Sequence, residues 1–200
     1  MTYRRVIEWP DKRLKLVSRE ANLSLDQQAF EDLLDTFRVT GGYGLSAPQI
    51  NLPIRAIIIN SQALGAGDDT ELLMINPFII ERSGTSFFEE ACFSVPEMSL
   101  KISRDHKICV RWVSTDGSSN EKEFMGYASA CMQHEIDHLD GMLMLDKVSQ
   151  LKKSMIIKKA NKQNLKASRV SALSKEELSK RKSRSTKKRL KEVRKNRKKN

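Results

Sequence analysis

Between Tyr127 and about Asp140 the apolar residues Ala128, Met132, Ile136 and Leu139, with Leu143 beyond, recur at the spacing of one helical face. Set into that pattern, in the stretch CMQHEIDHLDG (131–141), are Gln133, His134, Glu135, Asp137 and His138, including two of the chain's 3 histidines. The two histidines therefore sit on a helix packed into the core, which is either a metal site that activates water or a helix that happens to carry two histidines.

His134 and His138 stand at i and i+4. On a helix that separates them by about 40° around the axis and about 6 Å along it, so both rings can converge on one ion. Glu135 lies to the side of the pair, where a carboxylate reaches a water on the ion rather than the ion itself. This is the division of labour in H-E-x-x-H, two ligands and a general base; a chance occurrence of so short a pattern is the competing reading. A catalytic site of this kind takes three protein ligands and keeps one position open. One class of zinc endopeptidases takes its third ligand from a glutamate some twenty residues downstream, but IKKANKQN (156–163) has no acid. Another extends the motif to H-E-x-x-H-x-x-G-x-x-H; here Gly141 is in place and the last position is Met144. Cys131 shares the helical face but lies about 7 Å along the axis from an ion held between the histidines, too far for a cysteine. Cys109 alternates within a strand pattern and reads as structural. Cys92, on a separate, loop-like segment FFEEACFSVPEM between a β run and a proline, is free to meet the helix, and Cys with two His is a catalytic ligand set; a lone buried cysteine is the alternative.

The 200 residues suffice for one well-buried core with an appendage. No run of about 18 apolar residues could span a bilayer, and MTYRRVIEWPDKRL lacks the apolar stretch of a secretory signal, so a cytoplasmic protein with no membrane partner is expected. The 3 cysteines (Cys92, Cys109, Cys131) suit reduced thiols rather than a disulfide framework. The net charge of +11 is unevenly divided: residues 151–200 hold 21 of the 36 Lys and Arg but 3 of the 25 Asp and Glu, a net +18, which leaves −7 on residues 1–150.

Ser24 and Gln27 have the form of a capping box, and Phe30, Leu33, Leu34 and Phe37 follow at helical spacing, which predicts a helix over 25–39. GGYGLSAPQ (41–49) reads as a loop, PIRAIIIN (53–60) as a strand and GAGDD (65–69) as a turn. ELLMINPFIIER (71–82) reads as two short strands broken at Asn76-Pro77. HKICVRWV (106–113) has the alternation of a half-buried strand, followed by a turn at 115–118. Residues 147–166 read as a Lys-rich helix, and nothing after 170 could bury enough apolar surface to fold alone. The expected architecture is α+β: a single domain over 1–150 with mixed or antiparallel sheets around the central metal-binding helix, then a basic C-terminal helix and tail over 151–200.

Three segments resemble the peptide deformylase family in that family's own order. Gly42-Tyr43-Gly44-Leu45-Ser46-Ala47-Pro48-Gln49 is similar to its G-x-G-Φ-A-A-x-Q, Glu90-Ala91-Cys92-Phe93-Ser94 to its E-G-C-Φ-S, and Gln133–His138 to its Q-H-E-Φ-D-H. WPDKRL near the start and Ile75-Asn76-Pro77 add to the resemblance, which covers roughly residues 3–150. GYGLSA also fits a dinucleotide fingerprint, but a helix rather than a strand precedes it and Pro48 follows, so that reading fails on context.

The resemblance implies that Cys92, His134 and His138 bind a divalent ion, ferrous iron first, with nickel, cobalt or zinc as substitutes. It implies Glu135 as general base and acid, and the Gln49 side chain with the Phe93 backbone N–H as donors to a formyl oxygen. A substrate strand would run beside Tyr43, Gly44 and Ala91, with its methionine side chain near Tyr43, Cys131 and His134. The implied reaction is hydrolysis of N-formylmethionyl nascent peptides to formate and a free N-terminus, by a monomer that contacts the ribosome and its RNA through the basic tail. The residues depart from the pattern at three places. Ser46 replaces alanine, a small change expected to be tolerated in a loop. Ala91 replaces a glycine and would carry a cost of about 1 kcal/mol if its φ were positive, with altered peptide affinity. Ser99 stands where many relatives have a substrate-contacting arginine, so weaker anchoring of the downstream peptide is expected.

Overall fold

The computed structural model describes residues 2–60 and 71–158. Contacts divide the chain into a unit ending at Val148 and a second beginning at Ser149. In the second, residues 150–158 are helical; the turn expected at 65–69 and the chain beyond 158 lie outside the described residues.

Among its described residues the first unit holds two antiparallel sheets and two α-helices. Five strands, β1 (Gly44–Ser46), β2 (Ala56–Asn60), β3 (Glu71–Ser83), β6 (Lys107–Val113) and β7 (Ser119–Met125), pair in the order β1-β2-β3-β6-β7. Strands β4 (Ser86–Cys92) and β5 (Val95–Arg104) form a separate hairpin. The isoleucines of β2 are buried without exception, which a strand needs when both sheet faces are covered. Ala56 and Ile58 face one core with Phe30, Leu33 and Phe37 of α1 (Gln27–Thr40). Ile57 and Ile59 face the other, with Met132, Ile136 and Leu139 of α2 (Gly126–Leu139). The apolar face read from the sequence is thus spent on the five-stranded sheet, and the polar face of α2 is left to meet the hairpin.

Four local expectations are corrected. The helix begins at Gln27 with Asp26 as its N-cap, and no side chain caps it. The Asp26 carboxylate is instead drawn back to Arg19, at 2.6 Å, and to the Asn22 N–H. Residues 44–46 are a strand paired to β2, not loop. The β3 segment is one strand: Asn76 takes a φ of +52°, and a register shift between Ile75 and Phe78 absorbs the proline without ending the ladder. The segment around Cys92 is the end of β4, with Pro96 inside β5.

Candidate metal centre

The centre forms where the end of β4 meets α2. His134 and His138 stand with ring planes at 81° and Nε2 atoms 3.2 Å apart, and Cys92 brings Sγ to 3.3 Å from His138 Nε2. The three donor atoms lie within 4.8 Å of one another, on buried residues. A tetrahedral ion bonded at about 2.0–2.3 Å to nitrogen and sulfur needs donor separations of about 3.3–3.7 Å; the two separations at His138 Nε2, 3.2 and 3.3 Å, are close to that, so the three residues could hold such an ion. Burial and the neighbouring His134 push the His138 pKa well below the ordinary range, keeping that ring neutral as ligation requires. At His134 burial acts in the same downward sense, but Cys92 and Glu90 outweigh it. Positive charge is thus favoured at His134 and disfavoured at His138.

The tautomer is fixed from behind. His134 Nδ1 lies 2.8 Å from Glu90 Oε2, and Arg104 grips Glu90 with Nε and Nη2 at 2.7 and 2.9 Å. Arg104 Nη1 donates to Asp137, which also pairs with Lys147 at 2.9 Å. Burial pushes the Glu90 carboxyl up, yet Arg104 and His134 hold it down at about 2. An ionised Glu90 keeps the proton on Nδ1 and frees Nε2 for the ion.

Glu135 is buried beside the ligands, its Oε2 has no hydrogen-bond partner, and burial pushes its pKa up to about 7. A carboxyl poised there can take up and return a proton at cellular pH. Strand β1 passes so close that a Cβ on Gly44 would lie 2.8 Å from Glu135 Oε1 and 2.9 Å from Ile59 Cδ1; only glycine fits. Gln49, on the 3-10 turn Ala47–Ile50, directs Nε2 to Cys92 Sγ at 3.6 Å and Ser94 Oγ at 3.2 Å. The N-terminal segment straps these pieces together: Ile7 N–H donates to Gln49 O and Trp9 N–H to Ser94 O, both at 2.8 Å.

A cavity of about 470 Å³ opens onto the centre, and every expected site residue lines it except His138, which is buried beneath. Tyr43, Gly44, Ala91, Phe93 and Cys131 are thereby brought to one wall system with Gln49, Cys92, His134 and Glu135. Burial pushes the Cys131 thiol well up, consistent with a lining rather than a ligating role. Ala91 is absent from the positive-φ residues, which among the described non-glycines are Asn51, Asn76 and Glu97, so the expected backbone cost does not arise. Ser99 donates to Glu89 at 3.1 Å. Two contributors were not assigned from sequence. Tyr127, one turn before Cys131 on the same helical face, meets Tyr43 edge-on at 5.5 Å. Glu90 lay inside a quoted motif without a role, and its partner Arg104 had no local signal.

Met144, where the extended endopeptidase motif needs a third histidine, sits in a buried 3-10 turn after α2. The family described as polypeptide deformylase matches residues 3–154. A peptide deformylase of Buchnera aphidicola is 37% identical over 169 residues, 83% of this chain and 95% of the relative. Among solved structures, a peptide deformylase from Legionella pneumophila superposes with a TM-score of 0.73 at 31% identity, covering 83% of this chain and 98% of that one. A Met-Ala-Ser-bound peptide deformylase from Acinetobacter baumannii gives 0.66 at 27%, covering 74% and 99%. With the three-donor cluster, the buried Glu135 and a family match over residues 3–154, the chain belongs to the polypeptide deformylase family.

Proposed function

We propose that this protein hydrolyses the formyl amide of N-formylmethionyl peptides, releasing formate and a peptide with a free amino terminus. The observation that carries the reading is the convergence of Cys92, His134 and His138 beside one cavity that Glu135, with its unpartnered Oε2, and the Gln49 amide donor also line. A divalent ion bound by Cys92, His134 and His138, ferrous iron first and nickel, cobalt or zinc as substitutes, supplies the Lewis acidity that makes water a nucleophile near pH 7. Glu135 accepts the proton of the attacking water and returns it to the leaving amine. Gln49 Nε2 and the Phe93 N–H donate to the formyl oxygen as charge develops there.

Among the described strands β1 pairs with β2 alone and β4 with β5 alone, so each keeps an open edge. An extended peptide fits between them as an added strand beside Tyr43, Gly44 and Ala91, its methionine side chain in the cavity near Cys131 and His134. The Acinetobacter relative's Met-Ala-Ser complex supports a methionine-first ligand. The test is anaerobic formate release from a formyl-Met peptide with iron or nickel, wild type against Glu135→Ala; activity indifferent to that substitution refutes the mechanism. The +18 carried by residues 151–200 supports salt-dependent contact with ribosomal RNA phosphates. Truncation at about residue 150–165 followed by ribosome co-sedimentation at two salt concentrations tests it, and undiminished binding would sink it.

A further inference from the structure

Ser46 ends β1 directly against the site and is completely buried. Its backbone N–H and its Oγ both lie 2.9 Å from Gln49 Oε1. A carboxamide presents two ends of nearly equal shape, an acceptor and a double donor, which exchange by a half-turn of its last bond. The backbone N–H on Oε1 resists that half-turn, because it would set the amide NH2 against an N–H, and the hydroxyl adds a second hydrogen bond that holds the carboxamide in place. The orientation that results turns Nε2 toward Cys92 Sγ and Ser94 Oγ. The backbone donor is available with any residue at position 46; the hydroxyl is not.

We propose that Ser46 is a positioning residue: its hydroxyl, with its own N–H, fixes the Gln49 carboxamide with Nε2 aimed at the ion site. The inference rests on the deformylase reading and gives a role to a residue that had passed for a neutral replacement of alanine. The test uses full-length nickel-loaded protein with Ser46→Ala, Gln49→Ala and the double substitution, and measures kcat and KM for formate release together with metal content. Ser46→Ala is expected to lower kcat about 3- to 10-fold, the worth of one buried hydrogen bond, with KM within about twofold and metal content unchanged. In the Gln49→Ala background the same substitution is expected to change kcat by less than about 1.5-fold. Equal losses in both backgrounds, an unchanged kcat, or a loss carried by KM would overturn the assignment. A second readout needs no turnover. In cobalt-loaded protein the thiolate-to-metal absorption band of Cys92 should move in the same direction in Ser46→Ala as in Gln49→Ala, and a band that moves in Gln49→Ala alone also overturns it. Absence of formate release by the wild type would instead defeat the deformylase reading, leaving the cobalt band to judge Ser46 independently.

Discussion

Arg104→Met probes what holds the hairpin of β4 and β5 to α2. The Arg104 side chain is 2% exposed and spends three donors on two carboxylates, Glu90 and Asp137, themselves 6% and 12% exposed. Methionine fills a similar volume but leaves two buried like charges, one facing His134 and the other Lys147. Removing one member of a buried ion pair costs about 3–5 kcal/mol, a large part of the roughly 5–15 kcal/mol a domain possesses. The Glu90 carboxyl gives a consistent figure: held at about 2 rather than 4.5, at about 1.4 kcal/mol per pH unit, it corresponds to about 3 kcal/mol. Because the folded pKa is depressed, this contribution is complete above 4.5 and disappears as pH falls toward 2. Urea unfolding at pH 7, followed by far-UV circular dichroism on metal-loaded protein, is expected to show a loss of about 3–5 kcal/mol. Adding Glu90→Gln and Asp137→Asn removes the stranded charges and is expected to bring stability back to within about 1.5 kcal/mol of wild type. A loss below about 1 kcal/mol, or a triple variant no better than the single one, would refute the reasoning.

Cys92→Ala removes the one ligand supplied by the hairpin, and elemental analysis after dialysis should show metal well below one equivalent while circular dichroism stays native. Gly44→Ala forces a methyl group onto the Glu135 carboxylate and Ile59; formate release should fall at least about tenfold with the fold retained, and undiminished kcat would count against the close approach of β1 and α2. Asp32 is buried, and although burial pushes its carboxyl up, Arg4 and Gln28 hold it below 3.8. Its stabilising share is therefore present above 3.8 and lost below. The stability gap between wild type and Asp32→Asn should narrow from about pH 5 to about pH 3, as thermal unfolding across that range would show.

The sequence announced α2 plainly because its apolar face repeats with helical period and its ligands sit one turn apart, both local facts. The β2 and β6 strands were legible for the same reason. What escaped was whatever depends on distant pairing. GLS at 44–46 has too few residues to show a period, and it is a strand only because Leu45 lies opposite Ile58 of β2. Asn76-Pro77 punctuates the sequence as a break, yet the ladder to β6 resumes at Phe78. Ser24 and Gln27 promised a capping box, but Asn22 Oδ1 takes the Ser24 and Leu25 N–H groups and the helix starts two residues beyond them. In the candidate site, short motifs pointed to Cys92, His134, His138 and Gln49, whereas Arg104 acts on Glu90 across 14 residues and on Asp137 across 33, a separation no local pattern reveals.

The centre demands tighter placement than hydrophobic packing provides, since metal distances tolerate only about 0.2 Å and a one-residue slip of a strand reverses every side chain. Two histidines on one helix meet that demand by themselves; the thiol from β4 does not. Directional bonds supply the difference. Arg104 ties β5 to both Glu90 and Asp137. Gln133 clamps Asp105, just past β5, through N–H and carbonyl at 3.1 and 2.8 Å, and Gln49 and Trp9 bind the Cys92–Ser94 turn from a third side. Each fixes the hairpin along the strand axis, the direction in which an apolar contact would let it slide. The polar residues clustered on α2 thus serve two purposes at adjacent positions. His134, Glu135 and His138 face the candidate metal centre, while Gln133 and Asp137 hold the hairpin that brings Cys92 to it.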